Sequence, residues 1–390
     1  MKKITADYIF DGFRMLPEAV LILNDVGEVQ ELVEQPEESL RESAQYFKGI
    51  VSPGFINVHC HLELSHLYKK VPEKTGLPKF IRQIPEIREI DVEQKAEAIK
   101  NADKDMYENG IVACGDISNT ADSYETKIHS NIQYHTFLEV FGSLPDIADK
   151  VMENAQKLKN EYISLFQKNG KTPKISITPH APYSISEPLL KYLTNVCDTE
   201  EGIMSVHNQE TESENEMFKA GSGELLDVLK SFGLSYDWWK PTGFNSLPSF
   251  MSRFGKCQKN ILVHNTFTTQ QDIEWMYKYS PENYWCFCPN ANLYIEDKLP
   301  DFSVFKPYAD KCVLGTDSLA SNWQLNIMDE INTILKNSTV FTLPELLQMA
   351  TSNGAKALNF YNLGSFEKGK KPGVVNISEK GNKYVNKRIL

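Results

Sequence analysis

The sequence has no long apolar segment. No stretch approaches the roughly 20 apolar residues that a membrane-spanning helix needs, and the basic start Met1-Lys2-Lys3 is not followed by the apolar core of a signal peptide. The 7 cysteines are scattered along 390 residues, without the close spacing of a disulfide-rich scaffold. We therefore expect a reducing, cytoplasmic location, free thiols and no association with membranes.

Positive charge is also in short supply. Lys and Arg total 41 against 52 Asp and Glu, which gives a formal net charge of −11 and an isoelectric point near 5.4. Nucleic acids and anionic membranes attract basic surfaces, so neither is the expected main partner. The hydrophobic share of 41% and the charged share of 24% are those of an ordinary globular protein. We expect a small-molecule partner.

From residue 50 onward, short apolar runs alternate with helical patterns, which is typical of repeated βα units around a parallel sheet. Nearly every run ends in a polar, metal-capable or turn residue. The predicted strands are Gly54–Val58, Ile111–Cys114, Gln133–Phe141, Ile175–Thr178, Ile203–Val206, Ile261–Val263, Tyr284–Cys288 and Val313–Leu314. Because the strand ends of a (β/α)8 barrel meet at one face, we predict an α/β fold with a TIM-type barrel over residues 51–360.

The two ends of the chain have a different pattern. Residues 1–50 alternate apolar and polar positions and predict short antiparallel strands with turns. Residues 361–390 resemble them, with glycines before the apolar run 374–377. We predict a small β-sandwich domain that is assembled from both termini and flanks the barrel.

Two histidines follow the first predicted strand of the barrel. His59 and His61 are two residues apart, and side chains at that spacing share one face of a strand. A lone pair of this kind is equally well explained as polar residues on an exposed loop. A buried parallel strand that delivers both imidazoles to a barrel mouth is costly, however, unless something binds them.

Three other predicted strands end at His207, His264 and Asp317. Taken singly, each is more readily explained as an ordinary satisfied polar residue. Together with the first pair they supply four imidazoles and a carboxylate, which suit zinc or iron(II). Three histidines and one carboxylate leave a coordination position for water, whose pKa a divalent metal lowers. We predict one divalent metal per chain, with zinc preferred and iron as the alternative.

Further candidates lie beside these strand ends. Glu210, three residues after His207, is placed to shuttle protons, although solvated glutamates are also common in first helical turns. His180 ends the fourth predicted strand and is interpreted as a substrate contact, with a structural role as the rival interpretation. Glu63 follows the first histidine pair and could meet the substrate.

Two other features of the sequence have competing explanations. Cys286 and Cys288 could suggest a second metal, but two cysteines within one strand are more readily explained as core. Trp238 and Trp239 lie in the irregular stretch 222–256 and are either a hydrophobic anchor or part of a lid over the barrel mouth.

Taken together, these motifs resemble the amidohydrolase superfamily, in the branch that contains chlorohydrolases and purine or aminofutalosine deaminases. The resemblance runs from the N-terminal β-segment to the glycines near residue 369. The segments that carry it are 53–63, 137–143, 206–210, 262–264, 289–292 and 315–318.

The resemblance implies roles for individual residues. The implied ligands of a single metal are His59, His61, His207 and Asp317. Glu210 is implied as the proton shuttle, while His264 and Asp317 orient or deprotonate the attacking water. Dinuclear members have a carboxylated lysine where His180 ends the fourth strand here, so one metal is expected.

The chain also departs from the pattern of the family. Ala291-Asn292 stands where related enzymes often have Ser-Asn, which bears on substrate contacts and makes Asn292 a candidate for one. Pro372-Gly373 stands where Ala-Asp is usual, which bears only on the small domain. A homodimer is common among such enzymes and is expected here by analogy alone.

The resemblance implies the hydrolytic deamination of an adenine-like base or nucleoside, with aminodeoxyfutalosine as the candidate substrate. Water activated by the metal attacks the amino-bearing ring carbon, Glu210 protonates the adjacent ring nitrogen, and ammonia leaves. One alternative is hydrolysis of another C–N or C–Cl bond, as in a cyclic amide or a chlorinated heterocycle. The other is a non-catalytic binding protein, against which the retention of the whole ligand set argues.

Overall fold

The computed structural model describes residues 1–200, 202–236, 239–254, 259–280 and 282–390, with the backbone alone at 197–200. The strands are β1 Lys2–Phe10, β2 Met15–Pro17, β3 Val20–Leu23, β4 Val29–Val33, β5 Gln45–Ser52, β6 Phe55–Cys60, β7 Ile111–Ser118, β8 Gln133–Val140, β9 Lys174–Pro179, β10 Ile203–Asn208, β11 Lys259–His264, β12 Asn283–Phe287, β13 Cys312–Leu314, β14 Val375–Lys380 and β15 Lys383–Arg388.

Helices fill most of the connections between these strands. The α-helices are α1 Glu38–Glu42, α2 Leu77–Ile87, α3 Val92–Glu108, α4 Tyr124–His129, α5 Ala148–Lys168, α6 Glu187–Glu200, α7 Glu212–Ala220, α8 Glu224–Ser231, α9 Ser246–Met251, α10 Gln270–Tyr279, α11 Pro289–Glu296, α12 Phe302–Phe305, α13 Ile327–Asn337, α14 Leu343–Gln348 and α15 Gly354–Ala357. Short 3-10 turns cover Leu62–Leu67, Pro145–Ile147, Pro182–Ser184 and Lys306–Lys311, and one π-turn covers Met349–Asn353.

The eight strands β6 to β13 form two parallel four-stranded sheets, in the orders β6-β7-β8-β9 and β10-β11-β12-β13. At one side the His207 amide donates to the His180 carbonyl oxygen (3.0 Å), which joins the ends of β9 and β10. At the other side the Asp317 amide donates to the His59 carbonyl oxygen (3.0 Å), which joins the end of β6 to the residues after β13. The two sheets therefore contact each other at both pairs of outer strands.

All eight predicted strands of this region are present, with ends shifted by at most four residues. Three strands were predicted to end before the histidines, whereas β6, β10 and β11 continue through His59, His207 and His264. The strands are longer because the parallel hydrogen-bond ladder extends to these buried positions; Asn208, for example, still pairs with His264.

Helix α3 has a side-chain cap at its start and a glycine after its end. The Asp91 side chain accepts from the amides of Glu93 and Gln94 and so caps α3. Gly110 ends this connection with φ of +82°, and a Cβ at that position would lie 2.5 Å from a methyl carbon of Val375. A glycine is therefore required there by both backbone conformation and space.

The termini form one seven-stranded sheet, with β15-β14-β5-β1-β3-β4 in order and β2 paired with β1. β1 is antiparallel to β2 and β3, as predicted, but parallel to β5, so the expectation of antiparallel pairing alone was wrong. The α1 connection between β4 and β5 allows the parallel pairing, since parallel neighbours need a crossover. β14 pairs with β5 and thereby joins the two ends of the chain.

The environment of the cysteines and the length of the helices can be compared with what the sequence predicted. Cys286 and Cys288 lie fully buried in an apolar cluster with strand residues such as Ile56 and Val263, in agreement with their interpretation as core. The five cysteines for which the structure gives a pairing state are unpaired and buried. Among the described residues, no helix is both long and apolar enough to cross a membrane.

A buried ion pair connects α4 to β7 beneath the strand ends. The Lys127 ammonium lies 2.6 Å from the Asp116 carboxylate, and both side chains are fully buried. Lys127 also donates to the hydroxyls of Ser118 and Thr136. Asp116 accepts the amide of Leu62 (2.8 Å), so the pair also anchors the segment that follows the first two histidines.

Replacing Lys127 by methionine should destabilise the protein strongly. The substitution leaves the Asp116 carboxylate buried without its counter-charge, a change that typically costs about 3–5 kcal/mol. Urea unfolding followed by circular dichroism measures the loss in free energy of unfolding. Lys104→Met, which removes an exposed pair with Glu108, is the control and should leave this free energy almost unchanged. Equal stability of the two variants would contradict the prediction.

Candidate active site

The predicted metal ligands converge at the carboxyl ends of the parallel strands. The Nε2 atom of His61 lies 3.1 Å from Nε2 of His59 and 3.2 Å from Nε2 of His207. Oδ1 of Asp317 lies 3.4 Å from Nε2 of His61 and 3.6 Å from Nε2 of His59. Four donor atoms from β6, β10 and the segment after β13 thus face one small volume.

The backbone is strained where two of the site residues leave their strands. His264 and Asp317 have φ of +73° and +58°, a left-handed conformation that residues with a side chain seldom adopt. A Cβ at Gly315 would lie 2.8 Å from the Cβ of His59, so only glycine permits this approach of the chain to β6. Strain of this kind persists where the surroundings over-determine the conformation, and it is concentrated at functional sites.

Burial disfavours the protonated form of three of the clustered histidines. It lowers the pKa of His61 and His207, and it lowers the pKa of His264 to about 4. Burial raises the pKa of Asp317, but the hydrogen bond from His59 and the neighbouring imidazoles outweigh it and lower that pKa overall. The arrangement is therefore three facing imidazole nitrogens beside an ionised carboxylate.

This donor set fits a divalent cation. The Nε2 atom of a neutral imidazole is either a donor or an acceptor, so Nε2 of His61 cannot satisfy both of its contacts, at 3.1 Å to His59 and 3.2 Å to His207. A cation that accepts their lone pairs resolves this conflict, and nitrogen with carboxylate ligands suits zinc or iron(II). His207 has the required tautomer, because its Nδ1 donates to the His180 carbonyl oxygen at 2.7 Å.

Glu210 and His264 lie on the other side of the same centre. Oε1 of Glu210 is 3.6 Å from Nε2 of His264, and both side chains are almost fully buried. Burial, followed by the charge of Asp317, raises the pKa of Glu210 well above its ordinary value. This shift favours the protonated form of Glu210, which a general acid needs.

Asn292 lies against His264 and outside the cavity wall. Its Nδ2 donates to the His264 carbonyl oxygen (3.3 Å), and its Oδ1 accepts from Nδ1 of that ring (3.0 Å). The asparagine thereby leaves the His264 Nε2 as an acceptor toward Glu210 and the centre. The structure places Asn292 one layer behind the site, and a direct substrate contact by it stays a prediction.

A cavity of about 350 Å³ opens above the centre and has two kinds of wall. One wall, at the ends of β7 to β9, carries polar side chains beside the rings of Phe141 and Tyr183; the polar ones are Asn119, Glu139, Ser143, His180 and Ser184. The other wall is apolar and includes Leu77, Phe80, Ile81, Ile84, Leu229 and Phe232. His180 lines the cavity with its Nδ1 bonded to the Ser184 hydroxyl at 3.0 Å, and its contact with a substrate stays a prediction.

Glu63 lies behind the polar wall. Its carboxylate accepts the amides of Asn119 and Thr120 at 3.0 to 3.2 Å, and Arg88 lies 3.7 Å away. Burial raises the pKa of Glu63 to about 7. The contact with substrate that the sequence suggested for Glu63 stays a prediction, since this side chain does not reach the cavity surface.

Several residues of the site were not predicted from the sequence. Arg88 and Asn119 reach the cavity from the connections that follow β6 and β7, Glu139 reaches it from the end of β8, and Glu214 accepts the amides of Gln209 (3.2 Å) and Glu210 (3.3 Å). Glu139 could have been found as a polar residue near the end of a predicted strand, whereas Asn119 lies five residues beyond the predicted end of its strand. Arg88 and Glu214 carry no such signal, because both belong to helical segments with exposed charged neighbours.

The described part of the stretch 222–256 contributes to the apolar wall through α8 and the residues after it. Trp239 packs edge-to-face on Phe218, with ring centroids 5.4 Å apart, in a buried apolar cluster. This contact agrees with the hydrophobic-anchor interpretation for that residue. Trp238 lies outside the described residues.

Proteins of known sequence and structure resemble this chain over most of its length. It is 27% identical to aminodeoxyfutalosine deaminase of Nitratiruptor sp. over 319 residues, 80% of this chain and 75% of that protein. It is 24% identical to adenosine deaminase of Helicobacter pylori, over 84% and 79% of the two chains.

A solved structure has the same fold. The aminofutalosine deaminase of Helicobacter pylori, in complex with methylthio-coformycin, superposes with a TM-score of 0.81 at 21% identity, covering 97% of this chain and 93% of that one. A sequence model of the Amidohydrolase family matches residues 50–382. This match spans most of the chain and both parallel sheets that carry the site. The chain belongs to the amidohydrolase family.

Proposed function

We propose that this protein is a metal-dependent deaminase that releases ammonia from an adenine-like base or nucleoside, with aminodeoxyfutalosine as the candidate substrate. The observation that carries the proposal is the convergence of three imidazole nitrogens and one carboxylate at the floor of a cavity that Glu210 and His264 also line. The names of the relatives from Nitratiruptor sp. and Helicobacter pylori support it.

One divalent metal, zinc in preference to iron, is proposed to be held by His59, His61, His207 and Asp317. These residues supply the donor atoms that face one another in the structure. When bound, the metal supplies Lewis acidity, which lowers the pKa of a water molecule toward neutrality. Two of these ligands are held in place by polar contacts: the His180 carbonyl oxygen accepts from Nδ1 of His207, and the Ser321 hydroxyl donates to Asp317.

The proton transfers are assigned to Asp317 and Glu210. Asp317, with His264 beside it, takes a proton from the attacking water, while the protonated Glu210 gives its proton to the ring nitrogen next to the reacting carbon. Asp317 then returns its proton to the amino group, which leaves as ammonia. The hydroxyl proton left on the carbon passes to Glu210, and both acids regain their starting states.

The two walls of the cavity favour an amphipathic nucleoside over a free base. The polar wall offers polar groups at Ser143 and His180, as the hydroxyls of a sugar require. The apolar wall from α2 and α8 would pack an apolar substituent beyond the sugar. A volume of about 350 Å³ exceeds what an adenine ring alone fills.

Finer features of the architecture are also proposals. Since the two parallel sheets contact each other at both sides, we propose that they form one closed (β/α)8 barrel over residues 51–360. Residues 1–50 and 361–390 are proposed to form a small β-sandwich domain around the buried cluster that contains Ile9, Leu21 and Val374. The buried, unpaired cysteines support a cytoplasmic location.

Ammonia release from a panel of substrates tests the proposed reaction. Adenosine, aminodeoxyfutalosine, adenine, guanine and a chlorinated triazine would be compared in a coupled ammonia assay with protein of measured metal content. We expect release from an adenine-bearing nucleoside, and Glu210→Gln should lower that rate by about 10²–10⁴-fold because the amide cannot donate the required proton.

The exposed Glu212, on the first turn of α7, provides the matched control for Glu210. Glu212→Gln should retain the full rate, and both variants should keep the metal. No ammonia from any compound, with metal bound, would refute the deaminase and leave hydrolysis of a cyclic amide or a carbon–chlorine bond as the candidate reaction.

Removal of the metal should lower both activity and thermal stability. A ligand that binds only the folded state stabilises it by about 2.7 kcal/mol at 100 times its dissociation constant. The melting temperature should therefore fall after dialysis against a chelator and recover with zinc. His207→Ala should show no such response, whereas His129→Ala, at an exposed histidine, should respond as the wild type does. A chelator response retained by His207→Ala would contradict the ligand assignment.

A further inference from the structure

Glu139 is a buried carboxylate for which the proposed reaction has no use. It lies at the end of β8 with 4% of its side chain exposed. Its Oε1 atom has no hydrogen-bond partner among the described residues. The Nδ1 atom of the His207 ring lies 3.5 Å from that oxygen.

Neighbouring side chains fix the position of this carboxylate. Nδ2 of Asn119 donates to Oε2 of Glu139 at 2.9 Å and also to the Glu139 carbonyl oxygen. Oδ1 of Asn119 accepts from the guanidinium of Arg88 at 3.2 Å. The Glu63 carboxylate accepts from the backbone amide of Asn119 and so fixes that residue. A chain of contacts therefore leads from Arg88 through Asn119 to Glu139 and on to His207.

A carboxylate in this position is costly without a positive charge nearby. Removing a charged group from water costs several kcal/mol unless it is paired, and the Arg88 guanidinium is engaged with Asn119 on the far side. The His207 ring separates Glu139 from the proposed metal, because its Nε2 faces His61 while its Nδ1 faces Glu139. Negative charge behind Nδ1 makes Nε2 a stronger electron donor.

We propose that Glu139 is a positioning residue that strengthens metal binding through His207. The Nδ1 proton of His207 is already fixed by the His180 carbonyl oxygen at 2.7 Å. Glu139 therefore acts mainly through its charge, which stabilises the cation on the opposite side of the imidazole. This inference rests on the proposed function to the extent that His207 is a metal ligand there.

The test is the affinity of the full-length protein for zinc, measured by competition with a chromophoric chelator. Glu139→Gln keeps the shape and the contact with Asn119 but removes the charge, and it should weaken zinc binding by about 10–100-fold. Glu139→Asp keeps the charge and should restore part of the affinity. Glu330→Gln controls for placing an amide at a buried acidic site, since Glu330 contacts Asn290 and Asn322 and no histidine.

The outcomes separate this inference from the deaminase assignment. Weaker zinc binding in Glu139→Gln alone supports it, even if the wild type deaminates no compound. Unchanged affinity in Glu139→Gln overturns it, even if the wild type is an active deaminase. Two zinc ions per wild-type chain, one of them lost in Glu139→Gln, would also overturn it, because Glu139 would then be a direct ligand with His180.

Discussion

The structure depends on one electrostatic constraint: several imidazoles and a carboxylate share a small, buried volume. Burial alone disfavours such a cluster, because it removes the groups from water and forces the histidines to remain neutral. Left-handed backbone at His264 and Asp317 adds a conformational cost. A bound cation would offset the electrostatic cost, since it would accept the lone pairs that otherwise oppose one another. Parallel strands that end together are the means by which distant residues reach this volume.

The side chains of the site are held by a second layer of contacts. The backbone carbonyl of His180 fixes the tautomer of His207, and Asn292 does the same for His264. The Glu214 carboxylate accepts hydrogen bonds from the backbone amides of Gln209 and Glu210, so it orients the segment that carries the proposed proton shuttle. Each support comes from a neighbouring strand end or the helix that follows it. A site that is built on rigid elements needs little rearrangement when the charges of a reaction develop.

Different parts of the cavity serve the proposed reaction and the selection of the substrate. The floor, with its histidines and acids, is suited to water attack at a planar carbon and does not itself distinguish one leaving group from another. The walls differ in character, polar along β7 to β9 and apolar along α2 and α8. They therefore discriminate by the parts of a ligand that lie away from the reacting carbon, where hydrophobic contacts contribute most of the binding energy. Family membership alone identifies the floor but not these walls.

Local patterns in the sequence determined the alternation of strands and helices, the eight inner strands and the residues at their ends. These features can be predicted because the periodicity of apolar residues and the positions of turn residues reflect interactions between residues that are close in sequence. Tertiary structure alone decided that Glu139 faces His207, that Arg88 contacts Asn119, and that β1 pairs in parallel with β5. These contacts join residues that are distant in sequence, and their geometry follows from strand register and helix packing. The hydrophobic periodicity of one segment does not predict which face of a distant segment it will contact.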